Sequence, residues 1–459
     1  MTPSDLQHKA ATVVGGARSG RAVAQLLADA GAEVFLTEQG PPTEGLPARL
    51  DEAGIAHEFG GHTRRALDAD LVVLSPGVPT QSTIVQQARR TNLPIYSEIE
   101  TASWFCAAPI VAITGTNGKT TTTSLTGHLV RRGLQDVPGR RVIVAGNIGY
   151  PFSDYVRDAR PEDVVVLEVS SFQLDHVDTF RPRISMILNI TPDHLDRYDH
   201  DFNAYAQAKF RIFRRQSGGD TVIYNHDDDL VRDYVTLQAD RRGFRPVGIS
   251  IRRSLDRGAY LHDDRLVVRT DDGEEVLAAP GDLALRGRHN LYNALAAAVA
   301  ARRLNVGPDA LRDGLSTFTG VPHRLETVRT VAGVLYVNDS KATNVNAVWY
   351  AVDSFDRPVV LIAGGRDKGN DYGNLRSLVG EKARAVVAIG ESAPKVTREL
   401  GAAAGRHATA ASMEEALRAA QTFARPGDVV LLSPACSSFD MYDSYEERGD
   451  TFRRLVHNL

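Results

Sequence analysis

Cysteine is nearly absent. The chain of 459 residues has two, Cys106 and Cys436. Two cysteines cannot build a disulfide framework or a cysteine-based zinc site, and they fit a reducing cytoplasm. Long apolar runs are also missing. No stretch approaches the length of a membrane span, and the N-terminus, MTPSDLQHKA, has no apolar core. Neither a transmembrane helix nor a signal peptide is expected. There is little excess charge of either sign. The formal net charge is −4, which gives no electrostatic reason to expect nucleic acid or a membrane surface as partner. Low-complexity linkers and short-period repeats are lacking too. What remains is an ordinary globular composition, 42% hydrophobic and 24% charged, with a length that suggests about three domains.

The most informative stretch is residues 110–133, IVAITGTNGKTTTTSLTGHLVRRG. An apolar run leads into a turn on Gly115 and Gly118. Lys119 and Thr120 follow, then a helix-like segment that stops at Gly133. Strand, glycine turn, Lys-Thr and helix form the layout of a phosphate-cradling loop. Its glycines let backbone N–H groups approach phosphate oxygens, and the helix N-terminus adds partial positive charge. In that layout Lys119 reaches the terminal phosphates and the Thr120 hydroxyl ligates Mg²⁺. The loop has the short form G-x-x-G-K-T, with Ile113 where the longer pattern has a glycine.

Upstream, residues 12–14 read as a strand, Gly15, Gly16 and Gly20 as a turn, 21–30 as a helix and 34–36 as a second strand. This is a βαβ nucleotide-binding unit. Ala17 replaces the second glycine of the dinucleotide fingerprint. The unit therefore suits a UDP-type diphosphate, or plain packing, better than NAD. A strand at 70–74 turns at Ser75-Pro76-Gly77, another covers 94–96, and a boundary falls near Ser97.

Downstream of the loop, a strand at 141–144 ends in Gly146-Asn147-Ile148-Gly149. Residues 163–169, DVVVLEV, are almost continuously apolar, as in a parallel strand buried on both faces. Glu168 interrupts the run at its C-terminal end, where open α/β sheets bind ligands. It faces Mg²⁺ or an attacking water, or it is a solvated strand-end glutamate. His194 leaves the next strand, 184–190, on a loop, as a ligand or a structural residue. In the helix at 201–215, Lys209 sits inside the apolar stripe Phe202, Tyr205, Ala206, Ile212 and Phe213. It either snorkels to solvent or is functional. A buried amine has a depressed pKa, and a neutral amine can take up CO₂ as a carbamate, an anionic oxygen ligand for Mg²⁺.

Residues 224–280 are charged and strand-rich, without a usable motif. An alanine-rich helix opens at RHNLYNA. Asn290 and Asn293, one turn apart, read an adenine edge or serve capping and packing. A second boundary falls near Gly320. Strands then lie at 334–337, 359–363, 385–389 and 429–432. Lys341, Lys368 and Ser438 lie in the loops at strand ends and suit a small anionic substrate, while Arg324 could reach phosphates.

Together these stretches resemble the Mur ligase family, ATP-dependent amino-acid ligases that build the peptide stem of bacterial cell-wall precursors. The resemblance rests on GTNGKT at Gly115, LEVSSFQL at Leu167, NITPDHLDRY at Asn189, YAQAKFRIF at Tyr205, RHNLYNA at Arg288 and HR at His323. It covers the whole chain. SSFQL, NDSKATN and SPACSSFDMY are similar to the D-glutamate-adding branch. Folylpolyglutamate synthetases share the loop and the lysine helix, but the N-terminal unit is not expected in them.

The resemblance implies an α/β fold of three domains. These are a Rossmann-like UDP-substrate domain at 1–97, a central P-loop ATP domain with a mostly parallel sheet at 98–320, and a Rossmann-like amino-acid domain at 321–459. Closure on pivots near Ser97 and Gly320 is expected. The implied activity is ATP-dependent addition of D-glutamate to UDP-N-acetylmuramoyl-L-alanine through an acyl phosphate, by a cytoplasmic monomer in peptidoglycan precursor synthesis.

By motif match, Gly115, Thr116, Asn117, Gly118, Lys119, Thr120 and Thr121 hold ATP together with Asn290, Asn293, Arg324, Asp339 and Lys341. Thr120 and Glu168 ligate one Mg²⁺. His194 and carbamylated Lys209, sharing Glu168, hold a second. Lys119, Glu168, His194, Lys209 and Arg324 form the catalytic set. Arg18, Ser19, Ser75, Pro76, Gly77 and Asn147 match the UDP-substrate site. Lys341, Thr343, Lys368, Ser438 and Phe439 match the D-glutamate region. Where some members carry Asp-Thr-Arg after the second strand, this chain has Thr37-Glu38-Gln39. A sister ligase for another amino acid and a non-ligase ATP-binding regulator are the alternatives.

Overall fold

Short apolar runs, several of them ending in a glycine- or proline-marked turn, become most of the strands of three sheets in the computed structural model. It describes residues 1–459 except Asp136, Asp271, Asp272, Arg286 and Lys368. The first sheet comprises β1 (Ala10–Val14), β2 (Glu33–Glu38), β3 (Ala56–Phe59), β4 (Leu71–Leu74) and β5 (Ile95–Ser97). Its strands are all parallel, in the order β3-β2-β1-β4-β5. The order reverses between β1 and β4, and the crevice beyond those strand ends is where open α/β sheets bind ligands.

The second sheet comprises β6 (Ile110–Thr114), β7 (Val142–Gly146), β8 (Val164–Glu168), β9 (Ile184–Ile187), β10 (Thr221–Asn225), β11 (Arg245–Ser250), β12 (Gly258–His262), β13 (Arg265–Thr270) and β14 (Gly273–Ala278). The order is β14-β13-β12-β11-β10-β9-β6-β8-β7. Pairings from β7 through to β12 are parallel, and the charged strands β13 and β14 continue from β12 as an antiparallel extension. Register brings the working ends together. Ile113 pairs with Glu168, Glu168 with Gly146, and Thr114 with Ile187. The loop after β6, Glu168, Asn147 and the segment after β9 thus leave one sheet edge.

The third sheet comprises β15 (Glu326–Val331), β16 (Val334–Asn338), β17 (Val359–Gly364), β18 (Ala383–Ile389), β19 (His407–Ala410) and β20 (Val429–Leu432). Its order is β15-β16-β20-β17-β18-β19, parallel except for the β15–β16 hairpin. By contacts the chain forms two compact units. One is Met1–Asp282 with Tyr292–Thr317 and holds the first two sheets. The other is Leu283–Leu291 with Phe318–Leu459 and holds the third.

Within the first unit, the segment after β5 is locked rather than free. The helix Glu98–Ser103 is capped by Ser97, whose Oγ accepts from the Glu100 amide. The Ser97 amide donates to the His176 carbonyl at 2.9 Å. The fully buried Glu98 accepts from the Ser153 amide at 2.7 Å and its hydroxyl at 2.6 Å. Glu100, also fully buried, accepts from the amides of Asp178, Thr179 and Phe180 at 3.0, 2.8 and 2.9 Å, from the Thr179 hydroxyl, and from Trp104 Nε1 at 3.0 Å. Bending at Ser97 would strand these donors in the interior, so the expected pivot there meets a physical obstacle.

Among the described residues no helix is long and apolar enough to cross a membrane.

Candidate functional site

The phosphate loop is shaped by its two glycines. Gly118 has φ +85°, and a Cβ there would lie 2.5 Å from Asn293 Oδ1. Only glycine takes that backbone at low cost. The helix Lys119–Gly133 starts immediately after it. The loop is tied to the segment leaving β9. The Thr116 amide donates to the Asn189 carbonyl at 2.9 Å, the Asn117 amide to Asn189 Oδ1 at 2.8 Å, and Asn189 Nδ2 to the Asn117 carbonyl at 3.0 Å. Thr116 Oγ1 donates to the Thr191 carbonyl at 3.0 Å and lies 3.1 Å from the Tyr205 hydroxyl. Lys119 Nζ donates to the carbonyls of Gly115 and Thr116 at 2.9 and 2.8 Å.

Lys209 does not snorkel. It is 2% exposed on the helix Phe202–Phe210, and its Nζ donates to the same Gly115 carbonyl at 2.9 Å while lying 4.6 Å above the Tyr205 ring. The stripe that carries it is buried at Tyr205, Ala206, Ile212 and Phe213, so no path leads its stem to water. Burial pushes the Lys209 amine well below its usual pKa, the Lys119 charge pushes the same way, and Asp193 and Asp175 oppose it.

Glu168 is 2% exposed, which excludes the solvated strand-end reading. Its Oε1 accepts from Asn147 Nδ2 at 2.8 Å, and the Asn147 amide donates to the Glu168 carbonyl at 2.9 Å. Its Oε2 is buried with no hydrogen-bond partner among the described residues, as are the hydroxyls of Thr114 and Thr121. A buried carboxylate oxygen without a donor is costly unless a cation takes it, so this donor set fits a hard divalent ion. His194 has a left-handed backbone, φ +51°, and its ring meets Phe172 edge-on at 5.2 Å. Its Nε2 lies 3.7 Å from Asp193 Oδ2. Among the described residues no ready-made group of three or more His, Cys, Asp or Glu is assembled for a metal.

A cavity of about 910 Å³ opens beyond β1 and β4. Arg18, Ser19, Ser75, Pro76, Gly77 and Asn147 all line it. These six residues come from separate segments of the sequence, and the fold brings them together. Gly20 is required by close packing, because a Cβ there would lie 1.8 Å from the Gly15 carbonyl. Glu38 turns inward, accepting from the Gly16 amide at 2.6 Å and the Gly40 amide at 2.9 Å. Asn147 therefore belongs to both places. It lines the cavity and grips the Glu168 carboxylate.

Asn293 is buried, and its Oδ1 accepts from the Thr122 hydroxyl at 3.1 Å. Asn290 is buried as well.

In the second unit, Asp339 follows β16 and is buried. Leu325 donates its amide to Oδ1 at 3.1 Å and Ser433 its hydroxyl to Oδ2 at 2.8 Å. Burial pushes the Asp339 carboxyl up to about 6, against the lowering effects of Arg324 and these donors. Arg324 Nε is buried without a hydrogen-bond partner among the described residues. Lys341 Nζ donates to the Tyr445 hydroxyl at 3.0 Å. Thr343 is half-buried, Ser438 is buried, and Phe439 is 62% exposed. Lys368 lies outside the described residues. The buried guanidinium of Arg448 bonds Ser340 and the Cys436 carbonyl, joining the loops that carry Lys341 and Ser438.

Asn189, Asp193, Tyr205 and Tyr445 were missed as site residues. The first three lie inside the quoted motifs, so their position was visible although their partners were not. Nothing local marked Tyr445.

A short phosphate loop on a mostly parallel sheet, carried in one unit with a cavity-bearing Rossmann-like sheet, defines a nucleotide-dependent enzyme of the P-loop class. Comparison with known proteins narrows this. Residues 113–301 match the Mur ligase middle domain, 323–436 the Mur ligase glutamate ligase domain, and 9–84 the MurD N-terminal domain. The chain is 68% identical over 459 residues to the UDP-N-acetylmuramoylalanine–D-glutamate ligase of Salinibacter ruber, covering all of both chains. It is 46% identical over 471 residues to that of Chloroherpeton thalassium, again covering all of both. Among solved structures, UDP-N-acetylmuramate-alanine ligase MurC from Thermotoga maritima shares the fold at TM-score 0.60 and 20% identity, over 98% of this chain and 100% of that one. MurF from the same organism, in complex with ADP, does so at TM-score 0.59 and 14% identity, over 100% and 97%. The chain belongs to the Mur ligase family.

Proposed function

We propose that the protein is an ATP-dependent ligase that joins D-glutamate to UDP-N-acetylmuramoyl-L-alanine in cell-wall precursor synthesis. It acts as a cytoplasmic monomer of three domains, divided at 97 and 320. The observation that carries the reading is the double role of Asn147. A ligand seated in the 910 Å³ cavity ends beside the residue that holds Glu168 at the phosphate-loop edge. Full-length identity to ligases of that name supports the choice of substrates.

Two anions, a nucleotide phosphate and an acceptor carboxylate, must meet. Catalysis here is charge compensation and positioning rather than attack by a protein nucleophile. Arg18, Ser19, Ser75, Pro76 and Gly77 hold the UDP part, and Asn147 orients the muramoyl end. The loop from Gly115 to Thr121 cradles ATP, with Lys119 leaving its carbonyl partners for the terminal phosphates. Asn290, Asn293, Arg324, Asp339 and Lys341 complete the nucleotide site. The γ-phosphoryl passes to the substrate carboxylate, releasing ADP. The amine of D-glutamate, held by Lys341, Thr343, Lys368, Ser438 and Phe439, then displaces phosphate to form the amide.

Thr120 and Glu168 would hold one Mg²⁺. Glu168, His194 and Lys209 would hold a second, Lys209 having first taken up CO₂ as a carbamate with loss of one proton. When bound, these ions screen the repulsion between phosphate and carboxylate. The orphaned Glu168 oxygen and the depressed Lys209 amine support that assignment.

The test is phosphate release with ATP, Mg²⁺, UDP-N-acetylmuramoyl-L-alanine and each of D-glutamate, L-alanine and a diamino acid. Turnover with D-glutamate alone is expected. Turnover only with another amino acid would sink the substrate assignment, and no substrate-dependent release would sink the ligase reading.

A further inference from the structure

A second opening in the first unit, of about 580 Å³, lies apart from the cavity beyond β1 and β4. Its wall joins the last turn of the helix Thr83–Arg90, the residues just after the short helix Ser171–Leu174, the turn Leu195–Tyr198 and the 3₁₀ turn Arg211–Phe213. Three guanidinium groups line it, those of Arg89, Arg197 and Arg211, with His176 and the carboxylates of Asp175 and Asp199.

Hydrogen-bond accounting decides which charge is left over. Asp175 accepts from the Tyr198 hydroxyl at 2.9 Å and lies 3.7 Å from Arg211. Asp199 accepts from Gln81 Nε2 at 3.1 Å. Each acid has a donor in the wall, and three guanidinium groups face these two carboxylates. Arg197 is engaged as well, with Nη2 donating to the Gly77 carbonyl at 3.0 Å and its plane stacked 4.1 Å above the Phe172 ring. The excess charge in the lining is cationic. Arg211 reaches the Asp175 carbonyl through Nη1, and its guanidinium has further N–H groups. Arg89 is exposed at the rim, and its charge is felt at both Asp175 and His176. His176 Nε2 is buried with no hydrogen-bond partner among the described residues. Burial, reinforced by Arg89 and Arg211, holds the ring down to about 4, so at neutral pH it is uncharged and can place one N–H on an oxygen.

We propose that this opening is a binding site for a phosphoryl anion, taken by Arg89, Arg211 and the buried His176 Nε2, and separate from the nucleotide and UDP-substrate sites. Planar guanidinium groups with a neutral N–H donor suit a tetrahedral oxyanion with several acceptors. The volume exceeds what one phosphate fills and lies within the range of small-molecule sites. The shared chemistry is therefore the phosphoryl group, free or carried on a small metabolite.

The test titrates two probes, inorganic phosphate and glucose 6-phosphate, into the full chain by calorimetry. Saturating MgADP and UDP keep the loop and the larger cavity filled. Saturable binding is expected, weakened at least about tenfold in the Arg89→Gln/Arg211→Gln variant, because charge-assisted hydrogen bonds are the stronger kind. Equal affinities for the two probes identify phosphate itself as the ligand. Tighter binding of the ester identifies a phosphorylated metabolite. Arg197 is left unchanged because it braces Pro76 and Gly77. The variant's thermal midpoint reports whether it folds, and Arg89→Gln alone, at an exposed position, gives the same reading if the double variant does not. No saturable binding to the parent protein, or undiminished binding to the folded variants, overturns the proposal.

Discussion

Replacing Glu100 by glutamine removes one oxygen and keeps the shape. The parent carboxylate accepts two backbone N–H groups, of Asp178 and Phe180, on Oε2. On Oε1 it accepts the Thr179 amide and hydroxyl and Trp104 Nε1. Glutamine can keep its oxygen at the Oε1 position. Its NH₂ then points at the Asp178 and Phe180 amides, so two bonds to a charged acceptor vanish and two donors are left facing a third. Each such bond contributes about 1.5–3 kcal/mol, so the loss is about 3–6 kcal/mol. For a unit of this size a thermal midpoint falls roughly 2–4 °C per kcal/mol. Glu100→Gln should therefore lower the first unit's melting temperature by roughly 6–24 °C, read by calorimetry or by the near-ultraviolet signal of Trp104. A shift below about 2 °C would show that the segment after β5 yields easily. It would restore Ser97 as a pivot.

Two further outcomes follow from buried ionisable groups. Lys209→Met preserves the apolar stripe but removes the amine. It should fold, lose the carbamate carbonyl signal that ¹³CO₂ gives in the parent protein, and lose roughly 100-fold or more in turnover; retained turnover would refute the metal-ligand role. Asp339 has a folded-state pKa of about 6 against an ordinary 3.8. The folded second unit therefore holds a proton that the unfolded chain gives up. Its contribution is present below pH 4 and is lost as pH rises to about 6, a loss of about 3 kcal/mol. Asp339→Asn, neutral throughout, should flatten that slope in urea unfolding measured from pH 4 to 6.5. A parallel shift of both curves would contradict the assignment.

Much of the fold is legible in local pattern. The strand–glycine–helix sequence around Gly115 and the apolar run at β8 fix their elements because each is a short-range signal. Lys209 is legible as an anomaly, since a charge inside an apolar stripe needs a reason. The site's cross-connections are not legible. Asn147 and Glu168 are 21 residues apart, and only the parallel register of β7 and β8 makes them neighbours. Glu98 and Glu100 carry no local mark of burial. Their burial depends on amides from Ser153 and from the 178–180 segment, which no local window contains. Tyr445 meets Lys341 from 104 residues away, whereas the nearer candidate, Phe439, is exposed. Sequence periodicity reports what an element buries, not which distant residue it buries it against.

One backbone oxygen, that of Gly115, accepts hydrogen bonds from the Nζ atoms of both Lys119 and Lys209. The two positions are consequently epistatic. A change at either alters the field and the hydrogen-bond competition at the other, so their effects cannot be summed from single variants. A lineage that drifts at the phosphate-loop lysine changes which residues are tolerated 90 positions later. Selection on this oxygen acts on a pair, and the unit of inheritance at this site is larger than the residue.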